Sequence, residues 1–76
     1  MDNDHQKINI STATITLGQF LKLTGYFPSG GAIKHYLQEQ QVFVNGQLEN
    51  RRGKKLTHND IVTLENIGSF IVTFEN

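Results

Sequence analysis

Seventy-six residues can enclose one hydrophobic core and no second, so a multidomain organisation of this chain is excluded. The absence of cysteine removes disulfides and thiolate metal sites and fits a reducing compartment, and no apolar run approaches the roughly 18 residues of a membrane span; a soluble, cytoplasmic protein with no membrane attachment is expected. Seven Lys and Arg balance seven Asp and Glu, and a pI near 6.8 lies well below the value of about 9 that marks a free-standing nucleic-acid binder, so any polyanion site has to be local.

Residues 1–6 are polar and aperiodic and read as a flexible N-terminus ahead of a single domain over 7–76. In KINISTATI, residues 7–15, Ile8 and Ile10 fall on one side of an extended chain, which predicts a short strand. Thr16 followed by Gln19 has the spacing of a capping box, Leu17, Phe20, Leu21 and Thr24 recur at the helical period, and Gly25 supplies a left-handed terminator. A first helix is therefore predicted over about residues 17–24.

The linker YFPSGG holds the one proline, and Ser29 is placed to cap a second helix. Ala32, Ile33, Tyr36 and Leu37 give that helix an apolar face, with Lys34, His35, Gln38, Glu39 and Gln41 opposite. Its start, Ser29-Gly30-Gly31, leaves amides and the positive end of the helix dipole open to an anion, although a Gly-Gly pair is also a common loop device. Next, VFV-NG-QL is an alternating run broken by Asn45-Gly46, the dipeptide of type I′ hairpins. The basic stretch ENRRGKK follows and Leu56 closes it with an apolar anchor; THND then reads as a turn, IVTLE as a strand, NIGS as a turn and FIVTFE as a last strand. The order is strand, two helices, four short strands: an α+β fold with two short N-terminal helices packed on a small, mainly antiparallel sheet built from β-hairpins.

Arg51, Arg52, Lys54 and Lys55 place four cations within five residues, with Glu49 the one acid nearby. Two readings fit, a phosphate-binding loop or a solvated surface loop; mutual repulsion without a local counterion favours an anion partner. Lys34 extends a positive surface from the second helix, and His35 beside it can meet phosphate when protonated. His5, His35 and His58 are too scattered for metal-ligand spacing, and no acid, base and nucleophile set can be nominated, so neither a metal, a cofactor nor catalysis is expected. The aromatic residues suit a core, with Tyr26 the one candidate for an exposed stacking surface.

Residues 16–62, TLGQFLKLTGYFPSGGAIKHYLQEQQVFVNGQLENRRGKKLTHNDIV, resemble the small RNA-binding domain named after ribosomal protein S-four, the alpha-L RNA-binding motif, and most of all its stand-alone bacterial members of the YaaA and YbcJ type. In that family two short helices and a hairpin form one compact surface against structured RNA. The family's helix-leading serine falls on Ser29, its helical cation on Lys34, its hairpin turn on Asn45-Gly46 and the basic loop of the stand-alone type on Arg51 to Lys55. The chain has Gly30 where the family often has arginine, and Asn59-Asp60 for a usual Gly-Asp, a place where Asn tolerates left-handed φ. The resemblance implies a non-catalytic module for structured RNA, ribosomal RNA above all; joined with the residue reading, it makes Ser29, Gly30, Gly31, Lys34, His35, Asn45, Arg51, Arg52, Lys54 and Lys55 the expected contact residues of a protein expected to be monomeric. The neutral net charge suits another class of partner, an acidic protein docked on the basic loop.

Overall fold

In a computed structural model that describes residues 5–75, the chain forms seven strands and two helices in the order β1 (Gln6–Asn9), β2 (Thr14–Thr16), α1 (Leu17–Leu23), α2 (Gly30–Glu39), β3 (Val42–Val44), β4 (Gln47–Leu48), β5 (Lys55–Thr57), β6 (Ile61–Leu64) and β7 (Gly68–Thr73). The flexible terminus expected over residues 1–6 falls outside the described residues up to residue 4, while Gln6 already pairs with Phe70. Five strands make one sheet in the order β1-β7-β6-β3-β4, antiparallel except for the parallel pair β1 and β7; β2 and β5 form a separate antiparallel ribbon. The architecture is the α+β arrangement that the hydrophobic pattern predicts. No described helix is long and apolar enough to cross a membrane.

The core lies between the helices and the sheet. Leu17, Phe20 and Leu21 of α1 and Ile33 and Leu37 of α2 meet Val42, Val62, Leu64, Phe70 and Val72 of the sheet, all buried. Burying each such side chain contributes about 1.5–3 kcal/mol, which is why this apolar set decides how the helices sit.

Local signals hold. The Thr16 hydroxyl accepts from the Gln19 amide at 3.3 Å, and Gly25 follows α1 at φ +85°. Ser29 caps α2, its Oγ accepting from the Ala32 amide at 3.2 Å. Asn45 and Gly46 have φ of 53° and 86°, the pair of positive values a type I′ turn requires, and Asn59 is left-handed at φ 77°.

Two strand expectations need correction. The single strand expected over 7–15 is two strands in different sheets, because the chain bends at Ser11–Ala13, where Thr12 Oγ1 donates to the Thr14 carbonyl at 2.6 Å. Ile10 goes into the core beside β7, whereas Ile15 turns to face Leu56 across the ribbon. Five strands rather than four follow the helices: Lys55–Thr57, expected as the end of a loop and the start of a turn, is β5. Its partner β2 lies on the far side of both helices in sequence, so no local pattern announces the pairing.

Candidate nucleic-acid interface

The basic loop hangs from the first turn of α1. The amides of Leu17 and Gly18, which have no intrahelical acceptor, donate to the carbonyls of Lys54 (2.8 Å) and Arg52 (2.9 Å). The contact is close: a Cβ at Gly18 would just touch the loop, 3.4 Å from Arg52 Cβ and 3.5 Å from its carbonyl oxygen, and anything larger would not fit. The N-terminus of α1 is thus consumed in holding the loop, and only that of α2 remains open.

Held in this way, the four cations of the loop divide. Arg51 is clamped by Glu49: its Nε and Nη2 donate to the two carboxylate oxygens at 2.9 and 3.2 Å, and its amide donates to Oε2 at 3.1 Å. The guanidinium hydrogen bonds pull the Glu49 carboxyl down to about 2, with Lys54 adding a smaller electrostatic pull, and Glu49 in turn raises Arg51. Lys54 borders a cleft shared with Glu49 and Asp60, where carboxylates offset its charge. Arg52 faces the other way. It borders a cleft of about 190 Å³ with Gly18, Lys22, Gly30 and Ile33, and a neighbouring one of about 350 Å³ with Lys34, Gln38 and Asn50. Among the described residues, no Asp or Glu lines either. Lys55 lies at the edge of both the acidic cleft and a larger one on the far side of α1.

The two clefts share Arg52 and together form a groove beside α1 and α2, with Lys22 and Gly30, the first residue of α2, in one part and Lys34 in the other. The Gly30 and Gly31 amides have no acceptor among the described residues, and a Cβ at Gly30 would meet nothing within 4 Å, so the positive end of α2 is open at that point. Ser29 is exposed, with its hydroxyl occupied in capping. His35 is exposed but stands about 100° round the helix from Lys34 and does not border the groove. Asn45 is spent inside the protein: its Nδ2 donates to Asp60 Oδ1 at 3.0 Å and its Oδ1 accepts from the Ile61 amide at 2.9 Å, fastening the hairpin turn to β6. Tyr26 is 54% exposed and sits edge-to-face on Phe70, ring centroids 6.0 Å apart. His58 Nδ1 accepts from the Phe74 amide at 2.9 Å, and among the described residues no three His, Cys, Asp or Glu side chains gather as a metal-ligand set.

Lys22 is the groove residue that sequence reasoning misses. It follows Gly18 by one helical turn, a signal present in the chain, but which side of α1 stays uncovered is decided only when α2 packs.

A sequence profile of the S4 domain matches residues 8–73. The chain belongs to the S4-domain family. The chain is 52% identical over 65 residues to a protein of Bacillus subtilis (strain 168) named "Probable ribosome maturation protein RlbA", a match spanning 86% of this chain and 92% of that one. The S4-domain match reaches beyond residues 16–62 to include the second half of β1 and all of β7.

Proposed function

We propose that this S4-domain protein is a non-catalytic, monomeric module that binds structured RNA, ribosomal RNA first, through its backbone and shape. The observation that carries the reading is the groove in which Arg52 links Lys22 and the open start of α2 to Lys34, with no Asp or Glu lining it among the described residues. Anions suit it for two reasons. Its charges are not neutralised by carboxylates among the lining residues, and the helix dipole adds to them. The Bacillus subtilis relative, named a probable ribosome maturation protein, supports a role at the ribosome, where ribosomal RNA is the structured RNA at hand.

In this reading Arg52, Lys34 and the Gly30-Gly31 amides hold the RNA backbone, Lys22 widens the positive surface, and Lys55 continues it beyond α1. Arg51 and Lys54 take a secondary part, because Glu49 competes for them. Ser29 and Asn45 act by shaping the helix start and the hairpin, and His35 is an outlying contact. Phosphate contacts position without reading sequence, so the module recognises form.

A gel shift with total ribosomal RNA over a salt series tests it. Three to four phosphate contacts, at roughly 0.7–0.9 in log K per log salt each, predict a slope near −3. A slope near zero would refute the reading. The chain's neutral net charge favours a second one, an adaptor for an acidic protein; retention of a protein partner on the immobilised chain after nuclease treatment, together with a flat salt response to RNA, would select it.

A further inference from the structure

The largest of the clefts described above adjoins that groove and is built from different chemistry. It holds about 490 Å³ between the β1–β2 bend, the outer face of the β2–β5 ribbon and α1. The ribbon register explains its lining. Ile15 opposite Leu56 turns inward, so the alternate positions Thr14, Thr16 and Lys55 face outward. Ser11 and Thr12 of the bend, Gln19 of α1 and Asn9 of β1 complete a rim of hydroxyls and two amides, the edge of Ile15 reaches the cleft between them, and among the described residues neither Asp nor Glu lines it.

We infer that this cleft binds the ribose edge of an RNA strand and makes the protein prefer RNA to DNA; the inference rests on the proposed RNA-binding function. Three observations converge on it. First, Thr16 and Gln19 border both the cleft and the cationic groove, so one strand leaving Arg52 and Lys22 passes over the first turn of α1 directly into the cleft. Second, the cleft holds a single cation among the described residues, Lys55, enough for one phosphate and too few for a site that works by charge alone. Third, its polar groups can both donate and accept, as a 2′-hydroxyl does. Thr12 has its proton committed to the Thr14 carbonyl and keeps lone pairs to accept with. Thr16, whose oxygen accepts from the Gln19 amide, keeps a proton to donate. The Ser11 and Thr14 hydroxyls and the Gln19 side-chain amide have no protein partner among the described residues. Leu23, 51% exposed at the cleft's edge, offers an apolar contact for the carbon face of a sugar.

A ribosomal RNA stem-loop, chosen by footprinting the protein on total ribosomal RNA, is synthesised once as RNA and once as 2′-deoxy DNA of the same sequence. Affinities for the two are compared by anisotropy at one salt concentration. The triple variant Ser11→Ala, Thr14→Val, Gln19→Ala removes the free donors and acceptors while leaving the Thr16 cap in place. Each hydrogen bond lost reduces affinity by about two- to twelvefold, so RNA binding should fall at least tenfold while DNA binding stays the same. Arg52→Ala should weaken both ligands alike and preserve their ratio. Unchanged thermal unfolding of the triple variant, and the single variant Thr14→Val, guard against a folding artefact. Equal wild-type affinity for the two stem-loops, or a triple variant that keeps the RNA preference, would overturn the inference and leave the groove reading standing. Failure of the wild type to bind either stem-loop would instead overturn the proposed function itself.

Discussion

The Gly18 amide donates to the Arg52 carbonyl at 2.9 Å and, with the Leu17 amide on the Lys54 carbonyl, fastens the basic loop to the first turn of α1. This contact orients Arg52 toward α2 and away from the carboxylates at 49 and 60. Gly18→Ala adds a Cβ that just fits at 3.4 Å, and should leave stability and RNA affinity close to wild type, helped by better helix propensity. Gly18→Val has no such room, and should cost about 1–3 kcal/mol in urea unfolding through overpacking and weaken RNA binding by moving Arg52.

The two arginines of the loop should behave differently although they are adjacent. Arg52→Ala should reduce the salt slope of RNA binding by roughly 0.7–0.9, one full phosphate contact, whereas Arg51→Ala should reduce it by less than half of that because Glu49 already holds its guanidinium. Glu49→Gln frees that guanidinium and removes a negative charge from the loop, so RNA should bind more tightly. Gel shifts of the three variants over one salt series decide the matter.

Acid should weaken the Glu49–Arg51 clamp in a defined window. The Glu49 carboxyl lies at about 2 in the folded protein against an ordinary 4.5, so the folded state binds fewer protons than the unfolded one between these values. Its stabilising contribution is complete above pH 4.5 and is lost as pH falls toward 2. Because Arg51 is 71% exposed, the effect is small and shrinks with salt. Denaturation midpoints measured over this window should fall less steeply for Glu49→Gln than for the wild type.

Asn45 carries two separable duties, a left-handed backbone and a bridge to Asp60 and Ile61. Asn45→Gly keeps the backbone and loses the bridge, at a cost of about 1–3 kcal/mol. Asn45→Ala loses both, and should be less stable than the glycine variant by roughly another 1 kcal/mol, since φ of 53° strains an alanine. Chemical denaturation ranks the two, and RNA affinity of the folded fraction should be alike.

Much of the fold is written locally. Thr16 with Gln19, Ser29 with Ala32, and Asn45 with Gly46 act over three residues or fewer, so the sequence alone places both helix starts and the hairpin. The residue types of the candidate site are legible in the same way, because a dense run of cations is a fact of composition. What remained hidden was pairing across distance: β2 with β5, through Ile15 and Leu56 at opposite ends of the helical segment, and with it the outward face of Thr14, Thr16 and Lys55.

By itself, then, the chain determined its α+β class, its caps and turns, and the presence of a concentrated positive loop, since these follow from short-range sterics, hydrogen bonding and apolar period. Only the tertiary structure decided that the loop's charges part company. Glu49 holds Arg51 and Lys54 lies beside it, while Arg52 joins Lys22 and Lys34, which come from two helices. The reason is physical: a side chain's neighbours are set by where the buried faces of distant elements meet, and no spacing along the chain encodes that.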